Sequence, residues 1–187
     1  MRRLDEALAA SSRSVEANPL SPFLRRLRGY LYYLMRQYGQ AIEECNNALE
    51  LDPGNLPAHI HLGQIYIGMG NAEEAIRILD AARKLEQYST TTLDLLGFAY
   101  AQAGRAYEAE KIFEDLQGIA QRTYVPSESF ARILFGLGEV EKGFDWLEKA
   151  VEERDSLILS LNIAPLYDSL RSHPRYHALL RKMNLEA

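Results

Sequence analysis

The chain has 187 residues and a mass of 21.2 kDa, room for one domain or a short array of repeats. Hydrophobic residues make up 47% and charged residues 25%, a composition that supports a buried core and lies far from the polar, highly charged signature of disorder. With 21 Lys and Arg against 26 Asp and Glu the net charge is −5, which argues against a nucleic-acid partner, while the single cysteine, Cys45, excludes an internal disulfide and a multi-thiolate zinc site.

In chain order, residues 1–20 read as a helix with Leu4, Ala7, Leu8 and Val15 on one face, ending at Asn18-Pro19. From Ser21 to Met35 the residues Leu24, Leu31, Tyr32 and Met35 recur at helical spacing, and Ala41, Ile42, Cys45, Ala48 and Leu49 do so in the next stretch. This helix pair then repeats. Gly29, Gly63 and Gly97 are 34 residues apart, as are Tyr32, Tyr66 and Tyr100, and Ala41, Ala75 and Ala109. Gly138 extends the frame 34 residues beyond Gly104, and Pro19 stands 34 before Pro53. The units are therefore 21–54, 55–88, 89–122 and 123–155, preceded by half a unit in 1–20. Gly70-Asn71 and Gly104-Arg105 supply the turn inside a unit, with Asn71 and Glu74 spaced as a capping box, and Asp52-Pro53-Gly54-Asn55 closes one unit and caps the next.

After Asp155 the columns stop, and 156–187 reads as a helical cap. Ser172 is the expected N-cap, with Pro174 in the first turn and Tyr176, Leu179, Leu180 and Met183 on the apolar face. Asp168 is expected to pair with Arg171 and Arg175 at the surface.

The glycine, tyrosine and alanine columns resemble the tetratricopeptide repeat, a helix-turn-helix unit of 34 residues, over about four-fifths of the chain. The resemblance implies an all-α fold: a right-handed superhelical solenoid with a C-terminal capping helix, a single domain over 1–187. The columns are packing residues, with glycines allowing close approach of paired helices. The chain departs from the family at Arg25, His59, Leu93 and Ser127, where a tryptophan is frequent, and at Gln87, Gln121 and Asp155, which replace the closing proline and predict altered later turns. The fourth unit has Ala131, Leu134 and Gly143 in place of the three columns. The segment PLYDSLRSHPRYHALLRKM resembles a tail that follows such arrays in bacterial multidomain signalling proteins, with Tyr167, Ser169 and His173 departing from it. That second resemblance implies a regulatory module whose output domain, a kinase, cyclase or winged-helix regulator, lies before Met1. The orphan half-unit at 1–18 fits either a natural cap or a cut chain, and its apolar flank predicts homodimerisation through that end.

No residues form a catalytic set. His173 and His177 share i, i+4 spacing without a carboxylate or cysteine to complete a metal site, His59 and His61 face different sides of a helix, and Cys45 sits on the packing face. The expectation is a non-enzyme with no cofactor and no metal. The opening MRRLDEALAASSRSVEANP is interrupted by Asp5, Glu6 and Arg13 and has no apolar signal core, and no run approaches the ~18 apolar residues of a membrane span. A cytoplasmic protein without membrane contact is expected.

The resemblance further implies a concave groove lined by the first helix of each unit. Its columns fall on Phe23, Arg26, Leu27, Tyr30, Tyr33 and Leu34, then Ile60, His61, Gln64 and Ile67, then Thr91, Asp94, Leu95, Phe98 and Gln102, then Glu128, Ser129, Arg132 and Phe135. Tyr30, Tyr33, Ile60, Phe98 and Phe135 are the expected apolar anchors, and Arg26, Asp94, Glu128 and Arg132 set register. The columns that clamp a terminal carboxylate in some relatives hold Arg26, Tyr30, His61, Thr91 and Leu95 here, a poor match. The expected partner is a protein or peptide, presented as an amphipathic helix or an extended apolar segment.

Overall fold

Four of the helices begin where a side-chain oxygen is available to a free backbone N–H. In the computed structural model, which describes residues 2–185, ten α-helices follow one another: α1 (Arg2–Ala17), α2 (Pro22–Leu34), α3 (Tyr38–Leu51), α4 (Leu56–Gly68), α5 (Ala72–Leu85), α6 (Thr90–Gln102), α7 (Ala106–Ala120), α8 (Ser127–Gly136), α9 (Val140–Glu152) and α10 (Pro174–Lys182). Ser21, Asn55, Asn71 and Ser89 accept hydrogen bonds from the backbone N–H of Leu24, Ala58, Glu74 and Thr92 at 3.4, 3.1, 3.4 and 3.4 Å, each satisfying a donor that the first turn leaves free. The Asn71 box is half-made, because the Glu74 carboxylate turns to Arg77 instead. Gly70, Gly104 and Gly138 hold the intra-unit turns at φ of 73°, 75° and 78°, and Arg36 stands in the same left-handed conformation at the matching position of the first unit.

The fold is all-α, with helix hairpins α2–α3, α4–α5, α6–α7 and α8–α9 and no strand among the described residues. Its helices gather into two compact units, Met1–Gln87 and Tyr88–Ala187. Residue 1 and residues 186–187 of the expected 1–187 span lie outside the described residues.

In the first unit, α1 packs on α2, with Val15 and Ser11 buried, while Leu4, Ala7 and Leu8 stay half-buried. The core is built on close approach. A Cβ at Gly29 would lie 3.0 Å from Cys45 Sγ, and one at Gly63 would lie 2.5 Å from Leu79 Cδ2. Cys45 itself is fully buried, and burial above all pushes its thiol up to about 12, with Arg26 pulling the other way; this is a packing thiol, not a nucleophile. Gly63→Val is expected to destabilise the fold by about 1–3 kcal/mol through overpacking, read as a lower urea midpoint at unchanged slope.

In the second unit Gly97 of α6 keeps the close approach, against Ile112 of α7, but in the α8–α9 hairpin the packing pattern inverts. Gly143 on α9 now stands against the Phe135 ring on α8, where a Cβ would come within 2.5 Å of Cε1. The small residue has moved to the second helix of the hairpin, and the first helix carries the bulk. The connection from α7 to α8, residues 121–126, is longer than the 52–55 and 86–89 connections, so the expected change of turn is seen after Gln121 but not at Gln87, where the connection is as short as the one that holds Pro53. Two 3-10 helices, Ser156–Ser160 and Pro165–Leu170, then lead to α10. The N-cap of α10 is His173, not Ser172: its Nδ1 accepts from the Arg175 N–H at 3.3 Å. Arg175 bonds Glu141, Asp145 and Glu148 of α9 rather than Asp168, which keeps Arg171 at 2.7 Å. Tyr176, Leu179 and Leu180 of α10 are buried, as their spacing predicts, while Met183, expected on the same face, is half-buried.

Candidate protein-interaction surface

In the first unit, α2 and α4 share a face. Phe23, Arg26, Leu27 and Tyr30 lie on α2, and Ile60, His61 and Gln64 lie on α4. The Tyr30 ring stacks on His61 with centroids 4.6 Å apart and planes 23° from parallel, joining the two helices. The Arg26 guanidinium lies 5.2 Å from the centre of the Phe23 ring, and Phe23 is 56% exposed. The other residues of this face are half-buried, and the Gln64 side-chain oxygen is enclosed without a hydrogen-bond partner. On α2, Arg28 and Arg25 converge on the buried Glu44 carboxylate at 2.6 and 3.7 Å.

His61 is held neutral. Burial chiefly, and then the Arg26 charge beside it, push its imidazole down to about 3, against the opposing pull of a hydrogen bond to the Arg26 backbone. Because the unfolded chain would bind a proton near pH ~6.5, the folded state is fully favoured above that pH and loses stability as pH falls from there toward 3. At pH 5 the loss traceable to His61 is expected to be about 1–2 kcal/mol, measured as the part of the pH slope of unfolding that disappears in His61→Gln.

In the second unit the corresponding face is closed by the chain's own tail. Asp94 of α6 and Glu128 of α8 are 0% exposed, and Arg132 lies between them. Arg132 donates to Asp94 Oδ1 at 2.9 Å, to Glu128 Oε1 at 2.8 Å and to the Tyr167 hydroxyl oxygen at 3.4 Å. The Tyr167 hydroxyl donates to Glu128, and Ser129 Oγ donates to Asp94 Oδ2 at 2.7 Å. Burial opposes the guanidinium charge, yet Asp94, Glu128 and Tyr167 hold Arg132 well above its ordinary range. Burial raises Asp94 to about 6 against the pull of Arg132 and Ser129, because two carboxylates share one cation out of water. Tyr167 and its neighbours Ala164, Pro165 and Leu170 are buried with this cluster.

Residues 32–89 match the tetratricopeptide repeat family. That segment carries tetratricopeptide repeats. Among curated relatives, it is 26% identical over 148 residues to lipopolysaccharide assembly protein B of Escherichia coli K12, which covers 77% of this chain and 38% of that protein. It is 33% identical over 72 residues to the inactive TPR repeat-containing thioredoxin TTL3 of Arabidopsis thaliana, covering 38% of this chain and 10% of that one. The chain thus spans well under half the length of these relatives. Among solved structures, a thermophilic TPR protein of Thermus thermophilus superposes with a TM-score of 0.68 at 20% identity, over 88% of this chain and 90% of that one. A tetratricopeptide repeat protein of Parabacteroides merdae does so at 0.67 and 19% identity, over 97% and 72%. These likenesses show the fold, a helical-repeat solenoid, and the repeats support a protein-interaction scaffold in general terms.

Placed on the tetratricopeptide repeats, the expected groove residues divide by unit. Phe23, Arg26, Leu27, Tyr30, Ile60, His61 and Gln64 all keep accessible surface. Tyr33 is 2% exposed and packs beside Tyr38 and Gly68, and Leu34 and Ile67 are also core; the turn of helix that carries them faces the neighbouring helix. Leu95, Phe98, Asp94, Glu128, Ser129 and Arg132 are buried, whereas Thr91 and Gln102 keep some accessible surface, and Phe135 is half-buried against Phe144. Tyr167, the residue that closes this face, carries no sequence signal as a groove filler beyond being an aromatic in a tail that otherwise reads as a cap. Among the described residues no group of three His, Cys, Asp or Glu is placed to hold a metal, and no helix is long and apolar enough to cross a membrane.

Proposed function

We propose that the chain is an interaction scaffold that grips a partner peptide or helix on the α2–α4 face of its first unit. The observation that carries this reading is the contrast between equivalent columns: seven groove positions on α2 and α4, Phe23, Arg26, Leu27, Tyr30, Ile60, His61 and Gln64, keep accessible surface, while Asp94, Glu128 and Arg132 are engaged by the same chain around Tyr167. Phe23, Tyr30 and Ile60 supply apolar anchors, and Arg26 supplies a cation to orient the ligand. The partner chemistry that fits is an amphipathic or extended apolar segment with an acidic residue spaced to meet Arg26.

The test is selection of binding peptides on the intact chain, followed by affinity measurements on variants of normal helicity. Phe23→Asp and Tyr30→Ala should each weaken the selected peptides by roughly tenfold or more, and Gln102→Ala should leave them unchanged. Peptides that ignore the first-unit variants would overturn the assignment.

A further inference from the structure

In the second unit the chain's own tail is seated on groove columns in the manner of a ligand. Tyr167, carried by the Pro165–Leu170 3-10 helix, is buried, and its hydroxyl donates to Glu128 and accepts from Arg132 Nε at 3.4 Å. Two repeats earlier, 68 residues back, Ile60 stands for Glu128, Gln64 for Arg132 and Arg26 for Asp94. The helices keep that offset: α2 runs Pro22–Leu34 where α6 runs Thr90–Gln102, and α4 and α8 end in register at Gly68 and Gly136. At the position matching Arg132, the Gln64 side-chain oxygen is enclosed without a hydrogen-bond partner, a costly state for a polar atom out of water. Arg26 lies over the Phe23 ring and is paired with no carboxylate among the described residues.

Building on the scaffold role of the α2–α4 face, we propose that its partner segment carries a tyrosine whose hydroxyl bonds the Gln64 carboxamide, as Tyr167 bonds Arg132, with an acidic residue beside it for Arg26. The face selects a neutral aromatic group. With Ile60 in place of the acid and the Arg26 charge on the same face, an ammonium or guanidinium is disfavoured. Leu27, Tyr30 and Ile60 offer a ring apolar surface. A hydroxyl donates or accepts, and so does a carboxamide, so the pair forms with either end of the amide turned to the groove. Gln64 keeps accessible surface, and its side-chain torsions allow that turn. In the tail Asp168 directly follows Tyr167; the same order in a partner supplies the carboxylate that complements Arg26.

The tail also supplies the probe. The intact, isotope-labelled chain is titrated with the blocked peptide Ile-Ala-Pro-Leu-Tyr-Asp-Ser-Leu, the sequence of residues 163–170, and with its phenylalanine analogue, following the backbone amides and the Gln64 carboxamide by NMR. The tyrosine peptide is expected to shift α2, α4 and Gln64 signals saturably and to bind about threefold to tenfold more tightly than the analogue. Gln64→Leu, which keeps the bulk, should erase that preference. Equal binding of the two peptides, or a preference that survives Gln64→Leu, overturns the tyrosine assignment, whereas the scaffold reading stands as long as selected peptides still depend on Phe23. No saturable shift, or shifts confined to α6 and α8, overturns it equally.

Discussion

Replacing Arg132 by methionine is expected to lower the unfolding free energy by about 3–5 kcal/mol, one of the two largest effects anticipated for a single substitution in this chain. Methionine keeps most of the apolar stem, so the loss comes chiefly from charge. Asp94 and Glu128, both fully buried, lose the guanidinium that offsets their desolvation, and Glu128 Oε2 already has no hydrogen-bond partner in the fold. Urea unfolding of the single variant and of Asp94→Asn/Glu128→Gln/Arg132→Met separates the two contributions. The triple variant should recover most of the loss, because neutral amides are far less costly to bury than orphaned carboxylates. A single variant within about 1 kcal/mol of wild type would show that the cluster is hydrated and outside the packed core.

Tyr167→Ala is expected to cost a comparable amount, about 3–5 kcal/mol, through the cavity left by a fully buried ring. Tyr167→Phe keeps the ring and removes only the hydroxyl between Glu128 and Arg132, so its expected cost is about 1–3 kcal/mol. Combining Tyr167→Phe with Arg132→Met should cost less than the sum of the two, since both act on one network. Strict additivity in thermal unfolding would mean that the tail and the α6–α8 cluster are energetically separate, against the geometry of the Arg132–Tyr167 and Glu128–Tyr167 hydrogen bonds.

The 34-residue spacing of Gly29, Gly63 and Gly97 was enough to read the helix hairpins, because the glycine column marks a close approach that only a missing side chain permits, as at Gly63 against Leu79. The caps Asn55 and Asn71 were legible for the same local reason. What the residues could not convey were choices between competing partners. Arg175 had an acidic neighbour in Asp168 but found three on α9, and Ser172 yielded the cap to His173, whose ring also stacks on Phe144 at 4.4 Å. The groove columns were assigned from a resemblance that treats every unit alike. Tyr167, 39 residues from Glu128 in sequence, broke that equivalence: charges read as register-setting contacts for a ligand became a buried cluster with the tail. Gly143 and Phe135 show a third limit, since a local exchange of small and large residues between paired helices leaves the period intact while moving the bulk to the opposite side of the interface.

Site-directed photo-crosslinking in native cells tests the central claim most directly, with the reactive residue placed at Ile60 on the α2–α4 face in one variant and at Gln102, at the end of α6, in another. A partner docked on the α2–α4 face gives a discrete protein adduct from position 60 that is lost on adding Phe23→Asp, with no matching adduct from position 102. An adduct from position 102 alone, or one from position 60 that persists with Phe23→Asp, would contradict it.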